Sequence, residues 1–416
     1  MPSRMTLLVS SLINCSHIMR QEAFGAAKVN ASLQFSVRGR ALMGQKMFAV
    51  LEQARRIESQ GAKVYHLELG NPRLPPPPAI LSRTVQALIE QEVGYTQSAG
   101  HPALRQAIAQ LRERAWGHTI TEANVVVSPA NLIINQFFDL VCDPGDKVVF
   151  FTPAFPSYWA AATHMGLQVE GVTLDLVTGY DLTDEAITRA LAARPKAIVV
   201  NSANNPTGAV YGREPLERLA VECDRLGIWL LSDETYGEIS FGRPFHSLGG
   251  LELPRLVVMS SFSKLFSVPG YRIGFVIAHP DVAEKFALSV STLVSCLPIF
   301  TQLGCVAALD CIEDYTASVR ERCVSMTEWC DQALQGTNRI SFVPPKAGFY
   351  YFLDISACGL DDLTFAQRLL EEQQTAVTPG SSFDPSLRSH IRIATCGSVL
   401  DVHEGVRRLV ALAETL

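Results

Sequence analysis

One lysine of this sequence is surrounded by residues that indicate a chemical role. Lys264 closes the segment Ser-Ser-Phe-Ser-Lys directly after an apolar run that ends at Met259, and a turn containing Gly270 follows it. A lysine amine that is shielded from water can attack carbonyl compounds or accept a proton. Most lysines lie on the solvated surface, but the position of Lys264 between an apolar run and a glycine-containing turn favours a reactive amine.

Polar side chains follow several other apolar runs of the chain. The segments concerned are Ser128-Pro-Ala-Asn131, Thr152-Pro-Ala-Phe155, Asn201-Ser-Ala-Asn-Asn205-Pro-Thr-Gly208 and Ser232-Asp233-Glu-Thr-Tyr236. They supply an aromatic ring, amides, a carboxylate, a phenol and hydroxyls. Each segment alone is typical of turns, helix caps or packed core. Their shared position after an apolar run is the feature that predicts a common site.

The runs themselves predict the elements that position these side chains. The apolar runs span 125–127, 148–151, 197–200, 228–231, 256–259 and 275–278, and helical patterns span 132–141, 182–192 and 214–226. Continuous aliphatic runs are typical of strands covered on both faces, and their alternation with helices predicts a mostly parallel sheet in an α/β domain. Ligands of such sheets bind beyond the carboxyl ends of the strands, which is where the polar segments lie.

The rest of the chain predicts a second, smaller unit. Residues 314–334 and 363–373 have helical patterns, 348–353 and 391–394 are strand-like, and the chain ends in a helical segment, which together predict an α+β fold. Residues 74–78 read Leu-Pro-Pro-Pro-Pro and predict a stiff, extended connection. We expect an amino-terminal arm (1–45), an amino-terminal part of the small domain (46–75), a large domain (76–309) and a small carboxyl-terminal domain (310–416).

Composition excludes several classes of protein. The chain has 416 residues, 48% apolar and 18% charged, which is ordinary for a globular protein of two or three domains and excludes disordered, collagen-like and coiled-coil chains. A net charge of −6 without a basic module gives no indication of a nucleic-acid partner. No window of 18 to 20 uncharged apolar residues occurs, so we expect no membrane span.

The cysteines and the leader bear on the cellular compartment. Ten cysteines are scattered without a Cys-x-x-Cys pair or zinc-site spacing, so we expect reduced thiols, no metal and a cytoplasmic location. Residues 1–46 contain one acid, Glu22, and six Lys or Arg. Such an acid-poor leader is interpreted as a loose arm, and an organelle-targeting segment is the alternative.

The polar segments, in this order, resemble the aspartate aminotransferase superfamily, the fold-type I, class I/II enzymes that use pyridoxal 5′-phosphate. The resemblance extends from about Leu67 to the carboxyl terminus. Its most specific part is Ser261-Phe-Ser-Lys264 with Gly270-Tyr-Arg-Ile-Gly274, preceded by Asn-Pro-Thr-Gly and Asp-x-x-Tyr. The resemblance implies a three-layer α/β/α large domain with a mostly parallel, seven-stranded sheet and a smaller α+β domain.

The resemblance also implies roles around the cofactor ring. Lys264 would bind the cofactor aldehyde as a Schiff base and, once released, move the α-proton of the substrate. Asp233 would pair with the pyridine nitrogen, and Tyr236 and Asn205 would contact the ring 3′-oxygen. Phe155 would stack on the ring.

A second group of residues is implied at the cofactor phosphate. Arg272 would form a bidentate pair, assisted by the Ser261 hydroxyl and by backbone N–H groups of Ala130 and Asn131 at a helix start. Ser263 is a neighbour of the phosphate or of the lysine. The family more often has glycine in place of Ala130, and alanine is still small enough for close approach of the backbone.

The remaining implied residues concern the substrate and a second subunit. Arg392 would hold the substrate α-carboxylate, with Arg388 as the competing arginine, and Gly70 would let the backbone approach the ligand. Tyr95 matches the tyrosine that reaches the phosphate of the neighbouring subunit, which implies a homodimer with shared active sites. The implied substrates are an amino acid and a 2-oxo acid. The aromatic residues at 349–351 favour a neutral or aromatic side chain, and no second arginine for a distal carboxylate is recognisable.

Other functions are compatible with parts of the pattern. The same carbanion chemistry serves elimination, γ-substitution, cyclopropane formation, decarboxylation or oxygen-dependent oxidation in secondary metabolism, and amino transfer is our preferred outcome. Ser261-x-x-Lys264 also begins the signature of serine acyl enzymes, but Ser202-Ala-Asn204 precedes it in reversed order and no Lys-Thr-Gly follows. A ligand sensor would usually carry a DNA-binding module, and no helix-turn-helix pattern precedes the resemblance.

Overall fold

The computed structural model describes residues 34–40, 42 and 44–416. Residues 1–33, which make up most of the predicted arm, lie outside the described residues. The α-helices are α1 (Val37–Arg40), α2 (Lys46–Ser59), α3 (Pro78–Ile89), α4 (Pro102–Trp116), α5 (Ala130–Val141), α6 (Pro156–His164), α7 (Asp184–Ala192), α8 (Arg213–Leu226), α9 (Phe262–Leu265), α10 (Pro280–Leu293), α11 (Ile299–Leu309), α12 (Ile312–Leu334), α13 (Asp362–Gln373) and α14 (Val399–Glu414). Within the described part of the chain, none of these helices has both the length and the apolar character needed to cross a membrane.

The strands form one large sheet and two smaller ones. They are β1 (Tyr65–His66), β2 (Val125–Ser128), β3 (Lys147–Thr152), β4 (Gln168–Thr173), β5 (Ala197–Asn201), β6 (Trp229–Asp233), β7 (Leu256–Ser261), β8 (Gly274–Ile277), β9 (Ser341–Phe342), β10 (Tyr350–Asp354), β11 (Thr375–Ala376), β12 (Thr378–Pro379) and β13 (His390–Ala394). The large sheet has seven strands in the order β2-β8-β7-β6-β5-β3-β4. Only β8 runs antiparallel to its neighbours, so the predicted mostly parallel sheet is confirmed.

The large sheet is covered on both faces, as its continuous apolar runs predict. In β3, Val148 and Phe150 belong to one hydrophobic cluster, and Val149 and Phe151 belong to another. Successive side chains of a strand point to opposite faces, so the two clusters lie on the two sides of the sheet. Helices pack against both, which gives the expected three-layer α/β/α arrangement.

Strand β4 has no counterpart among the six apolar runs of the sequence. It occupies the edge of the sheet and pairs only with β3. Gln168, Glu170 and Thr173 are exposed, and Val172 is the buried residue of the strand. An edge strand with one solvated side needs no continuous apolar run, and for this reason the sequence pattern does not reveal it.

The amino-terminal segment returns to the carboxyl-terminal unit. Strand β1 pairs in parallel with β11, and Val50 and Ala54 of α2 share a hydrophobic cluster with Leu370. The antiparallel sheet β12-β13-β10-β9 and the long helices α12 and α14 complete this unit. From this packing we infer that residues 46–75 belong with residues 310–416.

The proline-rich connection contains neither helix nor strand over residues 74–77. The sequence pattern continues it through Pro78, but the structure begins α3 at this residue. A proline at the first helical position loses no hydrogen bond, because its missing N–H would have had no partner within the helix.

A close contact between α3 and α11 allows the packing of the large domain to be tested by mutation. A Cβ at Gly304 would overlap Thr84 Oγ1 and lie 3.1 Å from the Ile80 carbonyl oxygen. We predict that Gly304→Ala lowers the free energy of unfolding by about 1–3 kcal/mol, because overpacking outweighs the helix propensity of alanine. The midpoint of urea unfolding measures this. Gly250→Ala is the control, since a Cβ there meets nothing within 4 Å; equal midpoints for the two variants would contradict the prediction.

Candidate active site

A cavity of about 790 Å³ opens at the carboxyl edge of the large sheet, between this sheet, α2 and the carboxyl-terminal unit. Every site residue predicted from the sequence lines it, apart from Tyr95. These residues are Gly70, Ala130, Asn131, Phe155, Asn205, Asp233, Tyr236, Ser261, Ser263, Lys264, Arg272 and Arg392. The parallel strands deliver them, because β5, β6 and β7 end side by side at this edge.

The ends of β5 and β6 are tied together by an amide. Asn201 and Asp233 are register partners, and the Asn201 Nδ2 donates to the Asp233 carbonyl oxygen at 2.9 Å. The Asn201 Oδ1 accepts a bond from the Asn205 backbone N–H at 2.9 Å. Asn201 therefore fixes two predicted site residues, although sequence reasoning assigned it no role of its own.

The Asp233 carboxylate is buried and is held by neutral donors. The Tyr158 hydroxyl donates to Oδ2 at 2.6 Å, and the Thr235 backbone N–H donates to Oδ1 at 3.0 Å. Burial raises the pKa of Asp233, and these hydrogen bonds act in the opposite direction. Among the described residues no cation pairs with this carboxylate. A buried carboxylate of this kind gains from a cationic ligand group, such as a protonated ring nitrogen.

Lys264 lies in α9, one turn after β7, and its amine is held by a backbone carbonyl. Ser261 caps this short helix by accepting a bond from the Ser263 N–H at 3.1 Å. The Lys264 Nζ donates to the Gly70 carbonyl oxygen at 2.8 Å. Burial lowers the pKa of Lys264 to about 8, with Cys396 opposing and the charges of Arg392 and Arg272 adding to the effect.

Gly70 is required by the close approach of Tyr350. A Cβ at Gly70 would overlap the Tyr350 hydroxyl. Any other residue would therefore push apart the two sides of the cavity. The glycine lets the backbone carbonyl that accepts the hydrogen bond from Lys264 lie against Tyr350.

Tyr236 remains a neutral phenol at physiological pH. Burial raises its pKa well above the usual range, so the hydroxyl keeps its proton and is a hydrogen-bond donor. Its oxygen lies 3.0 Å from the Tyr350 oxygen. The side chain of Asn205, which also lines the cavity, accepts from Arg392 Nη1 at 3.2 Å through Oδ1. Its Nδ2 has no bond within the described part of the chain and is available to a ligand.

Arg392 is almost fully buried, with 1% of its surface exposed. Its Nη2 donates to Thr378 Oγ1 at 3.2 Å and to the Glu68 carbonyl oxygen, and its Cζ lies 4.5 Å from the Tyr350 ring centroid. The buried Nε has no partner among the described residues. The guanidinium is thus fixed in place and retains an unsatisfied donor. Arg388, the competing arginine, is exposed and does not line the cavity.

The opposite corner of the cavity fits an anion. Helix α5 begins at Ala130 with no side-chain cap, so its first backbone N–H groups lack partners within the helix. Ser261 and Arg272 line the same corner. A Cβ at Gly274 would lie 3.0 Å from the Cα and Cβ of Ala130. Glycine in β8 therefore makes room for the alanine that stands where the family more often has glycine.

Two predicted aromatic residues differ in placement. Phe155 lines the cavity and packs edge-on against Tyr158, with ring centroids 5.7 Å apart. Tyr95 is 90% exposed and does not line the cavity of its own chain.

The structure corrects the expected aromatic wall at 349–351. Of these three residues only Tyr350 lines the cavity. Phe349 precedes β10, and the alternation of side chains along this strand turns Tyr351 to the other side. The Tyr351 hydroxyl instead donates to Asp331 Oδ1 at 2.7 Å on the other side. Tyr158 is a second tyrosine that sequence reasoning missed. The feature of the sequence that could have indicated Tyr158 is its position three residues after Phe155, one turn along α6.

The outer part of the cavity carries charges that the sequence did not reveal. His66 bonds Glu68 Oε1 at 2.8 Å and Glu58 Oε1 at 3.2 Å. The bond to Glu68 and the nearby carboxylates outweigh burial and raise the pKa of His66 to about 9. Arg55 and Arg73 also line this part, and neither forms an ion pair within the described residues. The sequence patterns did not indicate these two cationic side chains of the cavity.

The cavity fits pyridoxal 5′-phosphate. A buried carboxylate with no cationic partner among the described residues, a partly buried amine of lowered pKa and an uncapped helix start match its ring nitrogen, aldehyde and phosphate. These groups lie on separate strand ends and line one cavity.

Comparisons with known proteins agree with this fit. Residues 62–409 match the family model described as aminotransferase class I and II. The aspartate aminotransferase of Thermotoga maritima is 31% identical, over 80% of this chain and 87% of that protein. The probable aspartate/prephenate aminotransferase of Aquifex aeolicus is 30% identical, over 88% and 95%.

A solved structure of aspartate aminotransferase from Thermus thermophilus with maleate superposes with a TM-score of 0.87 at 27% identity, covering 91% of this chain and 100% of that chain. The shared fold, the family match and the relatives agree with one another. The chain belongs to the class I and II aminotransferases, the pyridoxal phosphate-dependent transferases of fold type I.

Proposed function

We propose that this aminotransferase acts on an amino acid with an acidic side chain and on a 2-oxo acid. The observation that carries the substrate proposal is the pair Arg55 and Arg73, whose charges in the outer cavity have no ion-pair partner in the described chain. One oxygen of each nearby carboxylate, Glu58 and Glu68, is bonded to His66, and Glu68 Oε2 has no partner among the described residues. The named relatives are aminotransferases, which disfavours the other carbanion outcomes.

Bound pyridoxal phosphate supplies an electron-accepting ring that stabilises negative charge at the substrate α-carbon. The negative charge of Asp233 would keep a proton on the ring nitrogen, and the Tyr158 and Thr235 bonds would hold this carboxylate in place. Tyr236 would donate to the ring 3′-oxygen together with Asn205, and Phe155 would cover the ring.

The phosphate would be held by the start of α5 and by cationic and hydroxyl side chains. Ala130 and Asn131 would offer backbone N–H groups, and Arg272 and Ser261 would offer side-chain donors. Ser263 supports this corner indirectly, since its N–H donates to Ser261 Oγ. We infer that this binding is strong, because charge-assisted bonds to a phosphate add to the helix-start site.

Arg392 would hold the substrate α-carboxylate and Lys264 would move the α-proton. The buried guanidinium would donate to the carboxylate through its Nε, which has no partner among the described residues. The Lys264 amine lies in the same cavity at a pKa near neutrality, which suits transfer of a proton in both directions. The Gly70 carbonyl orients this amine.

The lowered pKa of Lys264 has a measurable consequence in the apo-protein. Only the uncharged amine attacks an aldehyde, so covalent binding of pyridoxal phosphate should accelerate with rising pH and level off near pH 8. An ordinary lysine amine, such as that of N-acetyl-lysine, continues to accelerate toward about pH 10. Stopped-flow absorbance of the linkage follows both reactions. A rise through pH 9 in the protein equal to that of the N-acetyl-lysine control would refute the lowered pKa.

The proposed substrate class is tested by removing the outer arginines. We predict that the double variant Arg55→Gln, Arg73→Gln raises KM for L-aspartate or L-glutamate about 10-fold, since each tenfold is about 1.4 kcal/mol, and leaves KM for L-alanine nearly unchanged. Steady-state kinetics gives both values. Arg56→Gln is the matched control, because Arg56 is exposed on the same helix but does not line the cavity. Equal losses for acidic and neutral substrates would contradict the proposal.

We also propose that the chain forms a homodimer with shared active sites. One face of α3 exposes an apolar stripe with helical spacing, formed by Leu81, Val85, Leu88 and Ile89. The exposed Val93 and Tyr95 follow it directly in the chain. A continuous apolar surface of this kind is typical of an interface between identical subunits. A cytoplasmic location stays a prediction from the scattered cysteines.

Sharing of the active sites is tested by mixing two variants. Lys264→Ala and Tyr95→Phe subunits, unfolded and refolded together at limiting pyridoxal phosphate, should give more activity than the two parents refolded separately. In a hybrid dimer one site then combines an intact Lys264 with an intact Tyr95 from the other subunit. If Tyr95 acts within its own chain, no hybrid site is intact and mixing brings no gain. A monomer in analytical ultracentrifugation would contradict the dimer itself.

A further inference from the structure

Tyr350 contacts three parts of the candidate site at once, although the sequence patterns assign it no individual role. Its hydroxyl lies 3.0 Å from the Tyr236 hydroxyl, its ring face lies 4.5 Å from the Arg392 guanidinium carbon, and its hydroxyl approaches Gly70 so closely that only glycine fits there. The residue is 2% exposed, so these contacts are made in a water-poor environment. It thus joins the cofactor side and the substrate side of the cavity.

The two phenols share a limited number of protons. Each hydroxyl has one proton to donate, and no other hydrogen-bond partner of the Tyr350 oxygen occurs among the described residues. If the Tyr236 proton is given to a cofactor oxygen, the proton between the two tyrosines must come from Tyr350. A phenol that accepts such a bond becomes a stronger donor, because hydrogen bonds in a chain polarise one another.

The ring of Tyr350 acts on the substrate side. Its face supports the planar guanidinium of Arg392, which Phe383 approaches as well at 5.1 Å. A guanidinium held by rings keeps its free edge directed to a ligand with little loss of entropy on binding. Removing the hydroxyl and removing the ring should therefore have separable effects.

We propose that Tyr350 is a positioning residue with two roles: its hydroxyl donates to Tyr236 and strengthens the donor facing the cofactor 3′-oxygen, and its ring orients Arg392. This inference rests on the proposed cofactor contact of Tyr236. It predicts a direction of change. A donor to the 3′-oxygen stabilises its negative charge and so favours loss of the proton from the neighbouring cofactor–lysine linkage. Weakening this donor must raise the pKa of the linkage.

The experiment is a spectroscopic pH titration of the holo-protein without substrate. Tyr350→Phe should raise the pKa of the linkage by about half to one pH unit, and Tyr236→Phe should raise it further. Both variants leave the other groups around Lys264 in place, namely Asp233, Arg272, Arg392 and Cys396. Phe keeps the ring that supports Arg392, and Leu removes it. The KM for the amino acid substrate should therefore stay near the parent value in Tyr350→Phe and rise several-fold in Tyr350→Leu.

Tyr351→Phe is the matched control, because it removes a buried hydroxyl from the next residue on the side facing Asp331. Its linkage pKa should equal that of the parent. If the linkage pKa of Tyr350→Phe equals that of the parent or of the control, while Tyr236→Phe raises the linkage pKa, the role of Tyr350 is overturned and that of Tyr236 stands. An unchanged pKa in Tyr236→Phe as well would instead refute the proposed contact between Tyr236 and the cofactor. Retained absorbance of the linkage in each variant shows that it has folded and bound cofactor.

Discussion

The active site depends on keeping charged groups away from water at the carboxyl edge of the sheet. Burial lowers the pKa of Lys264 and raises that of Asp233, so for both the amine and the carboxylate of this cavity the uncharged form is less unfavourable than in water. In water the same groups would be a solvated ammonium and a solvated carboxylate. Both faces of the sheet must be covered to produce this environment, because any open face would let solvent reach the strand ends.

The order of the strands in the seven-stranded sheet keeps the site residues away from water. Strands β5, β6 and β7 are central, and their carboxyl ends bear Asn201, Asp233 and Ser261. Strand β8 runs antiparallel and brings Gly274 against the start of α5, which forms the anion corner. The carboxyl-terminal unit closes the cavity from the other side with Tyr350 and Arg392. Each unit alone would expose its part of the cavity lining to water.

Sequence patterns predict the residues at the strand ends and miss those whose roles depend on tertiary approach. Five of the six apolar runs lead directly to residues that line the cavity, and the exception is the run 275–278, because β8 runs antiparallel and ends at the opposite edge of the sheet. Edge strand β4 has no such run, and Tyr158 acts only through a bond to Asp233 that no local pattern indicates. Arg55 lies on an exposed stretch of α2 that reads as solvated surface, and only the return of β1 to β11 places that helix beside the cavity. The role proposed for Tyr95 depends on a second subunit, so no contact within one chain bears on it.

The contact between Gly70 and Tyr350 brings the surroundings of Lys264 and of Arg392 together. Gly70 provides the carbonyl for Lys264, and its missing side chain admits a tyrosine that also supports Arg392. One small residue therefore sets the distance between the amine that would move the proton and the guanidinium that would hold the carboxylate. Any side chain at this position would separate the two groups, and proton transfer between fixed partners is sensitive to such displacements of about 1 Å. The spacing of the two groups, more than the identity of either, is what the packing of the two units determines.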